Sequence, residues 1–370
     1  MWIETNSRKL ASQDVLRIGD ATSVANENYR AQSVPPRYSP AKRPSQWGLI
    51  SDDSASAGGA QSMEIRQLGR SGLRVSALGL GTMTWGRDTD EHEAAEQLRS
   101  FLDYGGTLID TAAIFGDGDS ERVIGGLLNT LTPRESVVIC SKAGMTTTGV
   151  NNSRGNLLKD LDESLRRLRT EYLDIWMVQR WDESVPLDET LTALELAVSS
   201  GRVRYIGLSN FSGWQTARAF TLLESSIPLS VTQNEYSLLN RAAESEVLPC
   251  AKEVGLGVLA WSPLGRGVLT GKYLNGVPAD SRGASPHLGP FVSPYLEPRS
   301  RQIVQAVTMA ADGLGSAPLE IALAWVRDAP GITSAIVGAR SSAQLRGILR
   351  VDELDLPPVV RSALDDVSAQ

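Results

Sequence analysis

The chain has 370 residues, 41% of them hydrophobic, with a formal net charge of -7 at pH 7. This length allows a large core within one domain, and an acidic balance without a basic run argues against nucleic acids or anionic membranes as partners. No apolar stretch reaches the roughly 20 residues of a membrane helix, and two cysteines, Cys140 and Cys250, are too few for a disulfide framework.

Residues 1–62 differ in composition from the rest of the chain. They contain four prolines between positions 35 and 44, many Ser and Ala residues, and no sustained apolar period. We expect them to be either a disordered N-terminal extension or the result of a start site assigned too early. The first residues lack the basic start and apolar core of a secretory signal, so we expect a cytoplasmic protein.

From Ala77 onward, short apolar segments alternate with longer amphipathic ones. Eight strands are expected, namely ALGLG from Ala77, TLID from Thr107, VVICSK from Val137, LDIWMV from Leu173, VRYIGLS from Val203, SVTQNE from Ser230, GVLAWS from Gly257 and SAIVG from Ser334. Helices are expected between them, for example from Leu157 and from Leu187, the latter ending at Gly201. This alternation favours an α/β fold, a (β/α)8 TIM barrel over residues 63–370. A doubly wound open sheet is the alternative, but no GxGxxG follows the first strand.

The longest connection runs from the segment at residues 261–267 to a helix near Arg301 and is rich in Gly and Pro. A connection of this length is usually a functional lid or a disordered insert. In a barrel, we expect it to fold over the ligand face.

Polar residues recur where the expected strands end. They are Asp110, Lys142, Gln179, Ser209, Asn210, Gln233, Ser262 and Arg340. In a parallel barrel these ends open onto one face, where active sites of this fold lie. Each residue alone also has a structural interpretation, because Asp110 or Asn210 could cap a turn or helix and Lys142 could be solvated.

Several motifs occur in order and together resemble the aldo-keto reductase family in its bacterial type. They are IDTAAIFGDGDSERVIG from Ile109, SKAG from Ser141, RYIGLSNF from Arg204, TQNEYSLLNR from Thr232, AWSPLGRG from Ala260 and IVGAR from Ile336. The resemblance extends from Met63 nearly to the C-terminus. It implies an NADP-dependent oxidoreductase, with NADPH bound in an extended form over the barrel mouth and hydride transfer to a small carbonyl substrate.

The resemblance also assigns cofactor-binding roles. It implies that Ser209, Asn210 and Gln233 bind the nicotinamide carboxamide and that Trp261 stacks on the ring. It also implies that Ser262, Leu264 and the backbone around Arg266 and Gly267 surround the pyrophosphate, with the guanidinium matching its negative charge, and that Arg340 and Gln344 lie at the adenosine end. The Arg340 guanidinium suits the 2′-phosphate, which favours NADP over NAD, although an exposed arginine at a helix start is the alternative. Gly347 and Ile348 replace the Glu-Asn common in relatives, which implies weaker adenine contacts.

The catalytic tetrad of the family is Asp, Tyr, Lys and His, and here it reads Asp110, Phe115, Lys142 and Gln179. Phe115 has no ionisable proton, and losing a positioned general acid costs about 10² to 10⁴ in rate. Gln179 can donate a hydrogen bond but cannot transfer a proton. Lys142, directly or through water, is the remaining acid, although Asp110 opposes its deprotonation.

Three aromatic residues, Trp85, Phe115 and Trp181, are expected to line a substrate pocket suited to flat or apolar carbonyls such as quinones, dicarbonyls or cyclic ketones. Packing at the barrel rim is the alternative for the two tryptophans. His92 and His287 are expected to face solvent. No metal site is expected, because two histidines and two scattered cysteines offer no ligand cluster.

Two functions remain open from the sequence. The first is a reductase restricted to activated aldehydes, ketones, dicarbonyls or quinones, with an altered proton-donor site. The second is an NADPH-binding sensor or regulatory subunit with little reductase turnover. The sequence does not predict the physiological substrate, the reaction direction or the oligomeric state.

Overall fold

Eight parallel strands form a closed barrel in the computed structural model, which describes residues 63–223 and 226–369. The strands β1 to β8 are Leu78–Gly81, Leu108–Asp110, Val138–Ala143, Leu173–Val178, Val203–Ser209, Leu229–Glu235, Gly257–Trp261 and Ser334–Val337. Each strand pairs with the next in the chain, and β8 closes the ring on β1. The predicted TIM barrel is confirmed and the open sheet is wrong. The expectation for residues 1–62 lies outside the described residues.

Helices surround the barrel. In chain order, α1 to α11 of the described chain are Glu91–Asp103, Asp119–Leu127, Arg154–Leu168, Leu187–Ser199, Gly213–Leu223, Val247–Val254, Gly289–Val292, Pro298–Leu314, Pro318–Arg327, Ser342–Leu349 and Pro358–Ser368. None of these helices is both long and apolar enough to cross a lipid bilayer.

Local sequence signals set the helix ends. The Asp90 side chain accepts a hydrogen bond from the Glu93 backbone N–H at 2.8 Å, which caps the N-terminus of α1. The helix expected from Leu157 begins three residues earlier, at Arg154. Helix α4 ends at Ser199, and Gly201 follows with a φ of 77°, the left-handed conformation that stops a helix.

A two-stranded hairpin, Ile65–Gln67 with Arg74–Ser76, precedes β1 and closes one end of the barrel. Its residues Leu68 and Val75 are fully buried and belong to the core inside the barrel. Leu68 packs against Gly257, the first residue of β7, so the hairpin lies at the N-terminal end of the strands. Cys140 of β3 lies in the same core, and burial raises the pKa of its thiol well above the ordinary value. The other barrel end is thus left for a ligand.

Gly125 allows α2 and α3 to pack closely. A Cβ atom at this position would lie 2.2 Å from the backbone oxygen of Arg167. Glu121, on the same helix, is fully buried and accepts hydrogen bonds from Ser141 Oγ and Arg167 Nε, both at 2.6 Å. The last part of the motif that begins at Ile109 therefore serves helix packing rather than chemistry.

The long connection after β7 consists of short helical turns and α7 rather than a structureless loop. We call residues 272–297 of this connection the lid. Lys272, Arg282 and Phe291 of the lid line the same cavity as the strand-end residues. The expectation that this segment covers the ligand face is confirmed.

Candidate active site

A cavity of about 680 Å³ opens at the C-terminal ends of the strands. Its size is within the usual range for small-molecule and cofactor sites. The lining includes the sequence-predicted residues Asp110, Phe115, Lys142, Gln179, Ser209, Asn210, Gln233, Trp261, Ser262, Leu264, Arg266, Gly267, Arg340 and Gln344. The barrel therefore gathers residues that span more than 230 positions of sequence.

A buried ion pair lies at the bottom of this cavity. Lys142 Nζ donates to Asp110 Oδ1 at 2.7 Å and to the backbone carbonyl of Thr111 at 2.9 Å, and the two charged side chains are 3% and 5% exposed. Gln233 Nε2 donates to the same Asp110 oxygen at 2.8 Å. These charge-assisted bonds hold the carboxylate and the ammonium in place. Among the described residues, one of the three ammonium protons has no acceptor and is left for a ligand.

Phe115 occupies the space beside the ammonium. The centroid of its ring is 5.7 Å from Lys142 Nζ, a cation–π contact. The ring offers no hydrogen-bond donor and no titratable proton. At this position the cavity wall is apolar.

Gln179 directly follows β4 and lines the cavity. Its backbone N–H donates to the carbonyl of Ala143 at 2.9 Å, and its backbone carbonyl accepts from Asn210 Nδ2 at 3.0 Å. The side-chain oxygen Oε1 is buried without a partner among the described residues. A buried acceptor without a partner is costly, so Oε1 is available to accept a hydrogen bond from a ligand.

Asn210 fixes the orientation of Trp261. Its Oδ1 accepts from Trp261 Nε1 at 3.0 Å, and its Nδ2 donates to Ser209 Oγ at 3.1 Å as well as to Gln179. Both ends of the Asn210 amide are thus already engaged. The Ser209 hydroxyl proton and Gln233 Oε1 have no partner in the described chain, so they are the groups left to bind a ligand amide.

The expectation that the Arg266 guanidinium faces a pyrophosphate requires correction. Arg266 Nε and Nη2 form a bidentate pair with Glu235 at 2.9 and 2.7 Å, and Nη1 donates to the carbonyl of Phe291 at 2.5 Å. The guanidinium also stacks on the rings of Phe291 and Tyr295, 3.9 and 4.8 Å from their centroids. Its charge is neutralised by the carboxylate, so Arg266 ties the lid to β6.

Two basic residues of the cavity were missed by sequence reasoning. Lys272 and Arg282 line the cavity with Arg340, and none of the three has a carboxylate within salt-bridge distance among the described residues. Burial lowers the pKa of Lys272 and of Arg282, and repulsion between the cations lowers both further. We call Lys272, Arg282 and Arg340 the cation cluster. Because its charges are not neutralised by the protein, the cluster favours binding of an anion.

Two of the three aromatic residues expected in a substrate pocket do not line the cavity. Trp85 is fully buried in the core and its Nε1 donates to Gln97 Oε1 at 3.1 Å. Trp181 packs edge-on against Phe211 and Trp214, with centroid distances of 5.4 and 5.5 Å. The packing alternative holds for both tryptophans, and Phe115 alone of the three contributes to the lining.

Histidines and cysteines lie outside the cavity lining. His92 and His287 are exposed, as predicted, and His287 Nε2 lies 3.4 Å from Asp88 Oδ1. Within the described ranges, no three His, Cys, Asp or Glu side chains are grouped as a metal ion would require. The polar chemistry of the cavity therefore comes from Lys, Arg, Asp, amide and hydroxyl groups.

Comparison with known proteins agrees with this geometry. The sequence profile of the aldo/keto reductase family matches residues 77–369, nearly the whole barrel. The chain belongs to the aldo/keto reductase family. This barrel is 38% identical over 320 residues to an uncharacterized oxidoreductase, YrpG, of Bacillus subtilis, a match that covers 82% of this chain and 96% of the relative.

Two other relatives of this aldo/keto reductase differ from each other in their names. L-glyceraldehyde 3-phosphate reductase of Escherichia coli is 35% identical over 303 residues, covering 76% of this chain and 86% of the relative. A probable voltage-gated potassium channel subunit beta of Oryza sativa is 34% identical over 314 residues, covering 82% and 95%. The relatives of this chain thus include a protein named as an enzyme and a protein named as a channel subunit.

Proposed function

We propose that this aldo/keto reductase binds NADP(H) across the barrel mouth and reduces activated carbonyl compounds. One observation carries the proposal: a single cavity contains an unneutralised cation cluster at one side and the buried Lys142–Asp110 pair at its base. The cation cluster suits the phosphates of a dinucleotide. The Lys142–Asp110 pair suits a substrate oxygen that becomes negatively charged during reduction.

The residues present fit a nicotinamide dinucleotide. Lys272 and Arg282 would bind the pyrophosphate, and Arg340 would bind the 2′-phosphate. Backbone groups of Ser262, Leu264 and Gly267 would lie along the phosphates, in place of the Arg266 side chain. At the other end, the Ser209 hydroxyl and Gln233 Oε1 would hold the carboxamide, and Trp261, held by Asn210, would stack on the ring.

The bound cofactor would supply a hydride, and the side chains of this chain would stabilise the resulting oxyanion. The free N–H of Lys142 and the amide of Gln179 are the donors available to the substrate oxygen. Preorganised donors of this kind are each worth about 3 kcal/mol in a transition state. Because Lys142 is paired with the Asp110 carboxylate, we expect it to act as a hydrogen-bond donor and water to supply the proton.

This arrangement favours substrates whose reduced anion is stable before it is protonated. Hydride transfer to a quinone gives a hydroquinone anion whose charge is delocalised, and the second carbonyl of a dicarbonyl stabilises the alkoxide inductively, so proton transfer need not accompany hydride transfer. Simple aldehydes lack both kinds of stabilisation and depend on a general acid. The apolar wall at Phe115 also suits a flat, apolar substrate.

A second candidate function is an NADPH-binding sensor or regulatory subunit. The absence of a titratable group on the Phe115 and Gln179 side chains favours it, because hydride transfer then lacks a positioned proton donor. It shares the cofactor site with the first candidate and differs only in turnover.

Single-turnover oxidation of protein-bound NADPH distinguishes the two functions. Aldehydes, dicarbonyls and quinones are added separately, and NADPH absorbance is followed. We expect rapid oxidation by quinones or dicarbonyls and slow oxidation by simple aldehydes. Tight NADPH binding without oxidation by any compound would favour the sensor or subunit, and no NADPH binding would contradict both.

A further inference from the structure

Helix α10 begins immediately after β8, beside the cation cluster. Arg340 and Gln344 line the cavity on either side of its first residue, Ser342. Helix N-termini attract anions through their free backbone N–H groups and the helix dipole. Whether these N–H groups already have acceptors therefore affects how strongly a 2′-phosphate would bind here.

The first turn of α10 is largely closed to a ligand. Ser341 Oγ accepts from the N–H of Gln344 at 3.3 Å, and the Ser341 carbonyl accepts from the N–H of Leu345 at 3.0 Å. The N–H of Ser342 donates to a carboxylate oxygen of Glu93, a residue of α1. An acidic side chain thus takes a position at which a phosphate oxygen would otherwise bind.

The charge of Glu93 is not neutralised by a cation. Within the described part of the chain, no Lys, Arg or His lies within salt-bridge distance of its carboxylate, and the side chain is partly buried. Ser342 is two residues from Arg340, so an anion paired with Arg340 lies within roughly one Debye length of Glu93, ~10 Å at 0.1 M salt. A dianionic phosphate there would be repelled, while an uncharged hydroxyl would not.

We propose that Glu93 is a specificity-determining residue for the cofactor. Its carboxylate at the N-terminus of α10 weakens binding of the 2′-phosphate. The ratio of NADPH affinity to NADH affinity is therefore smaller than the cation cluster alone would give. This inference rests on the proposed function, since it requires a dinucleotide in the cavity. The cluster attracts all the phosphates, whereas Glu93 acts mainly on the 2′-phosphate.

Glu93→Gln tests the inference by removing the charge while keeping a side-chain oxygen that can accept from Ser342. Dissociation constants of NADPH and NADH are measured by fluorescence titration at low and high salt. We expect the variant to bind NADPH about fivefold more tightly at low salt and NADH within about twofold of wild type, with the gain reduced at high salt.

Glu91→Gln is the matched control, because Glu91 is an exposed acidic residue in the same first turn of α1. It should leave the ratio of the two constants unchanged. Equal tightening of both cofactors, or an unchanged ratio in Glu93→Gln, would overturn the role of Glu93 while leaving the proposed function intact. A wild-type protein that binds neither cofactor would overturn both.

Discussion

Phe115 determines what the site can do with a proton. Its ring faces Lys142 Nζ where a titratable group would complete a proton path to the substrate. We predict that Phe115→Tyr raises turnover of a reactive aldehyde by about 10²-fold, because the new hydroxyl can act as a general acid beside an ammonium that lowers its pKa.

Steady-state kinetics with NADPH and the aldehyde measure this effect. Phe115→Leu is the control, since it alters the ring without adding a hydroxyl and should give no gain. If Phe115→Tyr binds NADPH normally but is no faster than wild type, more than the proton donor is missing.

Lys142 and Asp110 stabilise each other in a site with little access to water. We predict that Lys142→Met lowers the free energy of unfolding by about 3 kcal/mol, because it leaves a buried carboxylate without its cation. Urea denaturation at pH 7 measures the loss.

The double variant Lys142→Met with Asp110→Asn should recover part of that stability. It removes both charges, and the asparagine oxygen can still accept from Gln233. Should the double variant prove less stable than the single one, the unpaired charge would not be the cause.

The residues of the site were predictable to the extent that strands position them. Asp110, Lys142 and Gln233 lie within the last three residues of their strands, and parallel strands end on one face of a barrel. The prediction for Trp85 was wrong because its position depends on the turn after β1. In that turn the backbone N–H of Trp85 donates to the carbonyl of Thr82, and the ring lies in the core. No local pattern in the sequence encodes that turn.

Among the elements around the cavity, the short segment between β7 and the lid connects the lid to β6. Arg266 has a φ of 59°, a left-handed conformation unusual for arginine, and its side chain joins Glu235 at the end of β6 to Phe291 of the lid. Tyr295 adds a hydrogen bond to the same Glu235 carboxylate at 3.1 Å. The lid is therefore held over the cavity by contacts to one partly buried charge pair.

We predict that Arg266→Gln increases the dissociation rate of NADPH by about tenfold, because it removes the contacts that hold the lid and leaves Glu235 unpaired. Stopped-flow fluorescence with excess NADP⁺ as competitor measures this rate. Arg122→Gln serves as control, since Arg122 pairs with Asp119 at an exposed position far from the lid in sequence. An unchanged rate in Arg266→Gln would show that the lid opens independently of Arg266.

Element boundaries were easier to predict than the path of the lid. All eight strands lie within two residues of their expected ends, because each is a short apolar segment with polar flanks. Lys272 and Arg282 escaped prediction because their approach to Arg340 depends on how a Gly/Pro-rich segment crosses the barrel mouth. The pairing of Arg266 with Glu235 escaped it for the same reason.

For the molecule as a whole, the buried Tyr236 and the partly buried Tyr295 link stability to alkaline pH. Burial, followed by the nearby Glu235 carboxylate, raises the pKa of Tyr295 to about 12, and burial beside Glu244 also raises the pKa of Tyr236. The folded chain therefore keeps protons that the unfolded chain loses from about pH 10. This stabilisation is complete below pH 10 and is lost as the pH rises towards 12.

We predict that the free energy of unfolding falls more steeply between pH 10 and 12 in wild type than in Tyr295→Phe, which has no proton to lose there. Guanidinium denaturation at half-unit pH steps measures both slopes. Tyr236 is unchanged in the variant, so part of the fall should remain. Identical slopes would mean that Tyr295 does not titrate differently on unfolding.

The bond between Gln233 and Asp110 spans the barrel, because β6 and β2 are four strands apart in a ring of eight. With Lys142 it forms a polar floor above an apolar interior that the N-terminal hairpin seals from the other side. Among the described residues, the space below this floor is filled by apolar side chains. In the proposed reduction we therefore expect the proton to arrive from the mouth, so lid opening would govern the protonation of product as well as its release.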